Sequence, residues 1–87
     1  MKFDNNVQII RQNKVKISNG EKEKEIKQDD LLIVDMLEAG ITEDDLLISK
    51  ISEAYNECDI SARLRLTLFI EEYGDFIAPG DRDRVFG

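Results

Sequence analysis

The sequence predicts an α+β domain in which a three-stranded antiparallel sheet is followed by three helices, a small winged-helix-like layout. Two observations predict this order. Apolar residues alternate with polar ones before an Asn19-Gly20 turn, as in the strands of a hairpin. Beyond residue 30 the apolar residues recur instead at helical spacing in three segments. With 87 residues, the chain has the size of one domain.

The predicted strands differ in apolar content. The first two share apolar residues of one parity, namely Val7, Ile9, Val15 and Ile17. The Asn19-Gly20 pair readily adopts positive φ at both positions, as a tight hairpin turn requires. The third strand, EKEIK over residues 23–27, has Ile26 as its only apolar residue. Such a charged strand is typical of a sheet edge, where lysines discourage unwanted pairing and the backbone stays open.

The helices are predicted near residues 30–39, 43–57 and 61–73. Asp29 and Asp30 are expected to cap the first helix, because carboxylates accept the free amide hydrogens at a helix start. Thr42 is expected to cap the second through a capping box. Gly40 and Gly74 are expected to end the first and third helices.

The third helix has apolar residues on two faces. One stripe predicts the core face, with Ala62, Leu66, Phe69, Ile70 and Tyr73. Leu64 and Leu68 lie on the far side at i,i+4 spacing and need a second surface. They either pack on the C-terminal tail or another helix, or they line a groove beside the edge strand that a peptide occupies by β-augmentation. Residues 63–69 also alternate as a strand would, which is the competing prediction for this segment.

The composition favours binding over catalysis. The sequence has no histidine and one cysteine, so it lacks the commonest general base and metal ligand. Cys58, near the end of the second helix, is expected to be a small buried apolar residue within a core stripe that includes Ala54 and Tyr55. The paired aspartates lie where helix caps belong. We therefore expect no enzymatic activity, no cofactor and no metal site.

Charge is divided along the chain. Residues 1–28 hold seven basic and four acidic side chains, net +3, whereas residues 29–87 hold five and fifteen, net −10. The overall charge of −7 opposes nucleic-acid binding, and the basic strands would attract an acidic partner segment. No apolar run is long enough to span a membrane, and the N-terminal residues lack a secretory signal. We expect a cytoplasmic protein.

The segment LEAGITEDDLLISKISEAY resembles the RiPP recognition elements of the PqqD-like family, small domains that bind the leader segment of a precursor peptide. The matching positions are Leu37, Gly40, Thr42, Leu47, Ile51 and Tyr55. The segment LTLFIEEYGDFI is similar to the last helix of that family. The resemblance covers roughly residues 7–78, so we expect a peptide-binding domain over 1–78 and a polar tail over 79–87.

The resemblance implies that a leader peptide pairs with the third strand and packs on the third helix. The peptide-binding residues expected on this basis are Lys22, Lys24, Glu25, Ile26, Lys27, Leu64, Arg65 and Leu68. The expected partners are the precursor peptide and a tailoring enzyme such as a radical SAM protein or a leader peptidase. Two alternatives stay open: an acidic phage-type inhibitor or antitoxin that binds a protein, and a winged-helix nucleic-acid-binding regulator.

Overall fold

The computed structural model describes residues 1–78 and confirms the α+β fold class, with three antiparallel strands followed by three helices. The elements are β1 (Gln8–Arg11), β2 (Val15–Ser18), β3 (Glu23–Glu25), α1 (Leu31–Glu38), α2 (Asp44–Tyr55) and α3 (Asp59–Glu72). Each helix begins and ends within two residues of its predicted bounds. The polar tail over 79–87 that the sequence predicts lies outside the described residues.

The sheet has the order β1-β2-β3, so β3 is an edge strand, as predicted. Ile17 of β2 is opposite Ile9 of β1 and opposite Lys24 of β3. Directly opposed residues share one face of an antiparallel sheet. Because Ile17 is fully buried, this face is the one that packs on the helices.

The turn between β2 and β3 depends on an asparagine side chain. Gly20 has a φ of +88°, as predicted, but Asn19 does not have positive φ, so the prediction for Asn19 is wrong. Instead, Asn19 Oδ1 accepts hydrogen bonds from the amides of Glu21 (3.0 Å) and Lys22 (2.7 Å). By accepting these bonds from nearby backbone amides, the Asn19 side chain stabilises a turn that is longer than the predicted two-residue turn.

The predicted caps at the helix starts do not form. Asp30 is at the N-cap position of α1 but makes no side-chain cap hydrogen bond. Its carboxylate accepts a hydrogen bond from the Tyr73 hydroxyl instead. Glu43, not Thr42, occupies the N-cap position of α2, and it also makes no such bond. The Thr42 carbonyl accepts a hydrogen bond from the Met1 ammonium group.

The helix ends are partly as predicted. Gly40 follows α1 with a φ of +88°, a left-handed conformation typical of a helix end. Asn56 ends α2 in the left-handed conformation with a φ of 52°, which asparagine tolerates better than most residues. Gly74 does not terminate α3 in this way, because it begins a short 3-10 helix over Gly74–Phe76.

The buried stripe of α2 is shorter than the predicted one. Leu47, Ile48 and Ile51 are buried as expected. Ala54 is exposed and Tyr55 is only half-buried. Cys58 follows the turn and is exposed, so the prediction that it is buried is wrong. The helical spacing that placed it in the core stops at Asn56.

The core lies between the inner face of the sheet and the three helices. α3 contributes Ala62, Leu66, Phe69 and Ile70, all at most 6% exposed. These positions follow the 3.6-residue period, so the alternative prediction of a strand over residues 63–69 is wrong. Phe76 and Ile77, beyond α3, also lie in the core. Within residues 1–78, no helix is both long and apolar enough to cross a membrane.

Candidate functional site

An exposed apolar row runs along α3, formed by Ile60, Leu64 and Leu68. Their exposed fractions are 79%, 58% and 52%. At about 100° per residue, the middle of this row lies opposite the helix face that packs in the core. Leu64 and Leu68 therefore occupy the second face that the sequence predicts. Adjacent exposed apolar side chains of this size are typical of a surface that contacts another molecule.

The backbone of β3 is open on the side away from β2. The Ile26 amide donates a 2.8 Å hydrogen bond to the Val15 carbonyl, which fixes which residues of this strand face β2. In an antiparallel pair, hydrogen-bonding groups alternate in direction along the strand. The amides and carbonyls of Glu23 and Glu25 therefore point outward. We call these two backbone positions the open edge.

Tyr73 marks one end of the open edge. Its hydroxyl accepts a 3.2 Å hydrogen bond from the Lys27 amide and donates a 2.9 Å bond to Asp30 Oδ2. The Tyr73 side chain is fully buried, and this burial raises its pKa above the usual value. The hydroxyl therefore stays protonated, and the Lys27 amide is already satisfied. A strand added at this edge pairs with Glu23 and Glu25 rather than continuing past Lys27.

Two lysines connect β3 to the end of the apolar row. Lys24 Nζ donates a 3.0 Å hydrogen bond to the Glu72 carbonyl and lies 5.4 Å from the Tyr73 ring centroid. Lys27 Nζ lies 3.0 Å from Glu72 Oε1. Glu72 follows Leu68 by one helical turn. The apolar row therefore ends one helical turn before a residue that contacts β3.

The lysines of the β3 region do not form a free basic patch. Lys22 Nζ lies 3.2 Å from Asp75 Oδ2, and Lys24 and Lys27 share the Glu72 carboxylate. Residues 21–27 contain three lysines and three glutamates, so this segment has no net charge. The basic balance of residues 1–28 therefore does not produce a positive field at the open edge.

Two predicted site residues make other contacts. Ile26 is only 5% exposed and packs in the core, so its side chain does not face a peptide at this surface. Arg65 Nε donates a 2.6 Å hydrogen bond to Glu57, and its guanidinium lies 4.1 Å from the Tyr55 ring centroid. Arg65 thus joins α3 to the end of α2. At about 100° per residue it lies on the same flank of the helix as Glu72 and about one turn before Leu68.

Three residues of the surface were absent from the predicted set. Ile60 was missed because α3 begins two residues before its predicted start, although it precedes Leu64 at the same i,i+4 spacing. The helical spacing of α3 predicts Tyr73 only as a core residue. It places Glu72 on a flank of the helix without assigning it a contact. Their contacts with Lys24 and Lys27 depend on how β3 crosses α3, which periodicity within either segment does not specify.

Groups with possible chemical reactivity are few in the described part of the chain. Cys58 Sγ lies 3.5 Å from Ser61 Oγ, and this hydrogen bond lowers the pKa of the exposed thiol. Among residues 1–78, no group of three acidic or cysteine side chains is placed to hold a metal ion.

A second apolar hollow lies between α1 and α2. Its lining includes Leu32, Met36, Ala39, Ile41 and Ala54, with charged residues at the rim. Its lining residues come from α1, α2 and the segment between them, and within residues 1–78 none of them belongs to a strand. The combination of apolar side chains with an open edge therefore distinguishes the α3 surface.

A scan against protein-family models matched none of them, and searches of curated proteins and of solved structures gave no significant match.

Proposed function

We propose that this protein captures the leader segment of a precursor peptide by β-augmentation at β3 and presents it to a tailoring enzyme. The observation that supports this proposal is the junction of the open edge with the apolar row of α3. A peptide strand on this edge gains backbone hydrogen bonds from Glu23 and Glu25. Its alternate side chains face the helical layer beside Leu68.

Both halves of the surface contribute to affinity. Net contributions of about 0.5 to 1.5 kcal/mol per backbone hydrogen bond are typical. Covering apolar surface contributes about 25 cal/mol per Å² removed from water. Leu64 and Leu68 are more than half exposed in the free protein, so most of this gain is still available to a partner. Hydrogen bonds determine the register, and the apolar row provides most of the binding energy.

The partner classes follow from the resemblance to RiPP recognition elements. In this proposal the bound peptide is the leader of a precursor, and the acceptor is a tailoring enzyme such as a radical SAM protein or a leader peptidase. A binding role without catalysis agrees with a sequence that has no histidine. A binding role also agrees with the position of the surface on β3 and α3, because a regular strand and helix can hold a peptide in one register.

Nucleic-acid binding has weaker support. A winged-helix reader places a basic helix in the major groove. Here Arg65 of α3 is engaged by Glu57 and by the Tyr55 ring, and the middle of the exposed face of α3 is apolar. The net charge of −7 adds a long-range repulsion from phosphates. The acidic-inhibitor hypothesis uses that charge but gives no role to the apolar row.

The test is a titration of the ¹⁵N-labelled protein with the leader segment of a precursor peptide encoded beside its own gene. The proposal predicts saturable shifts of the Glu23 and Glu25 amides and of the Leu64 and Leu68 methyl groups. If the peptide binds and the shifts instead fall on the hollow between α1 and α2, the β-augmentation mode is wrong. The absence of a neighbouring precursor gene and tailoring enzyme would contradict the biosynthetic role.

A further inference from the structure

We infer that the strand pairing with β3 has lysine or arginine opposite Glu23 and opposite Glu25, with an apolar residue between them. This inference rests on the proposed function and specifies the peptide that the surface accepts. It follows from the faces of β3 and the charges on them.

The side chains of β3 alternate between two faces. Lys24 is opposite the buried Ile17 and reaches Glu72 and the Tyr73 ring, so it lies on the inner face. Glu23 and Glu25 therefore project from the outer face of the sheet. The side chains are 49% and 56% exposed, respectively. The two residues with outward-facing backbone groups thus also present the two outer carboxylates.

The outer face has a ladder of alternating charge. Lys16 Nζ of β2 lies 3.4 Å from Glu23 Oε1, and Lys14 Nζ lies 3.8 Å from Glu25 Oε1. Each carboxylate thus contacts its lysine through one oxygen. Within residues 1–78 no further ion pair to either glutamate is present. A peptide strand added at the open edge would lie beside the carboxylates of Glu23 and Glu25. Basic side chains on that strand would continue the alternation of charge across the outer face.

Residues that pair across two strands share a face whether the strands are antiparallel or parallel. A peptide residue opposite Glu23 or Glu25 therefore projects on the outer face in either orientation. The residue between them projects on the inner face, toward the helical layer that contains Leu68. The preferred pattern is accordingly basic, apolar, basic, and it does not depend on the direction of the bound strand.

The same charges disfavour two other occupants. A second copy paired antiparallel about Lys24 would place Glu23 opposite Glu25 of its partner, and parallel in-register pairing would oppose identical glutamates. Like charges directly opposite one another destabilise a sheet. An acidic peptide would also place like charges opposite Glu23 and Glu25, so it is disfavoured for the same reason. This inference departs from the sequence-based expectation that the basic strands attract an acidic segment, because Glu23 and Glu25, and not Lys24, project from the outer face of β3.

The test uses three short capped peptides that alternate valine with lysine, with glutamine or with glutamate. Each is titrated into the full-length ¹⁵N-labelled chain while the Glu23 and Glu25 amides are followed. Opposite-charge pairs across strands add modestly to stability, so we expect the lysine peptide to bind roughly 3- to 10-fold more tightly than the glutamine peptide. The glutamate peptide should bind most weakly, and added salt should reduce the differences.

Matched variants separate a local effect from net charge. In the protein with Glu23→Gln and Glu25→Gln, the lysine preference should disappear. In the control with Glu43→Gln and Glu53→Gln, which makes the same change of net charge at exposed positions of the α2 region, the preference should persist. Persistence of the preference in the first variant would overturn the inference.

The remaining outcomes distinguish the inference from the proposed function. Equal affinities, or tightest binding of the glutamate peptide, would overturn the charge rule and leave strand capture intact. If none of the peptides shifts the Glu23 and Glu25 amides, the edge does not accept a strand and both proposals fail. Concentration-dependent shifts of these amides in the free protein would assign the edge to a second copy and overturn the inference.

Discussion

The two faces of α3 have similar apolar residues and opposite surroundings. Leu66 is fully buried against the sheet and helices, whereas Leu68, two residues later, is 52% exposed. Both belong to the same regular helix, so helix propensity does not explain the second apolar face. The core face stabilises the domain, and we attribute the exposed face to binding. The comparison shows that an apolar residue on a short amphipathic helix has to be assigned to a face before it is assigned to the core.

The largest expected difference is in stability. Leu66→Ala should reduce the free energy of unfolding by about 2 to 5 kcal/mol, because it leaves a cavity in a packed core. Leu68→Ala should change it by no more than about 0.5 kcal/mol, as exposed positions usually do. Urea denaturation of both variants measures the difference. Similar losses for the two would mean that the exposed face also supports the fold.

Tyr73 belongs to the core face but its hydroxyl reaches β3, so it connects the fold to the open edge. Tyr73→Phe keeps the ring and removes the bonds to Lys27 and Asp30. We expect a loss of about 1 to 2 kcal/mol in unfolding free energy, since a buried partner is left unsatisfied. The Lys27 amide should also exchange faster with deuterium. Unchanged deuterium exchange at the Lys27 amide would contradict the role of Tyr73 as the end of the open edge.

Lys24 lies between the open edge of β3 and the end of α3, so its substitution tests how these two parts of the surface are connected. Lys24→Glu removes a cation and adds an acidic group beside Glu72, so it should speed the association of a peptide with basic residues, more at low salt than at high salt. Stability should change by less than about 1 kcal/mol, because exposed ion pairs contribute little. Stopped-flow association at two salt concentrations measures the effect. A change confined to the dissociation rate would indicate a direct contact instead.

Cys58 should show the smallest effect. Sequence periodicity predicts a buried thiol and a measurable loss of stability for Cys58→Ala. Because the residue is exposed, we now expect a change of no more than about 0.5 kcal/mol and unaltered peptide binding. Thermal denaturation checks the first expectation. A loss of several kcal/mol would restore the original interpretation of this position.

The sequence was sufficient for features that depend on local periodicity. The two faces of α3, the charged edge strand and the helix-ending Gly40 were all predicted from spacing and residue type. Features that depend on tertiary contacts were not. Asp30 bonds Tyr73 instead of capping its helix, because a partner distant in sequence competes for its carboxylate. The contacts of Glu72 with β3 were missed for the same reason, since they require the crossing of strand and helix in three dimensions.

The most direct test of the central claim replaces one exposed leucine on each of two helices. Leu68→Asp puts a charge into the proposed contact, and Leu46→Asp makes the same change on α2, where Leu46 is 44% exposed. Both variants should remain folded by circular dichroism. We predict that Leu68→Asp weakens leader-peptide binding by about 2 kcal/mol or more, measured by calorimetry, while Leu46→Asp leaves it unchanged. Normal binding by a folded Leu68→Asp protein would show that the peptide site is not on this face of α3.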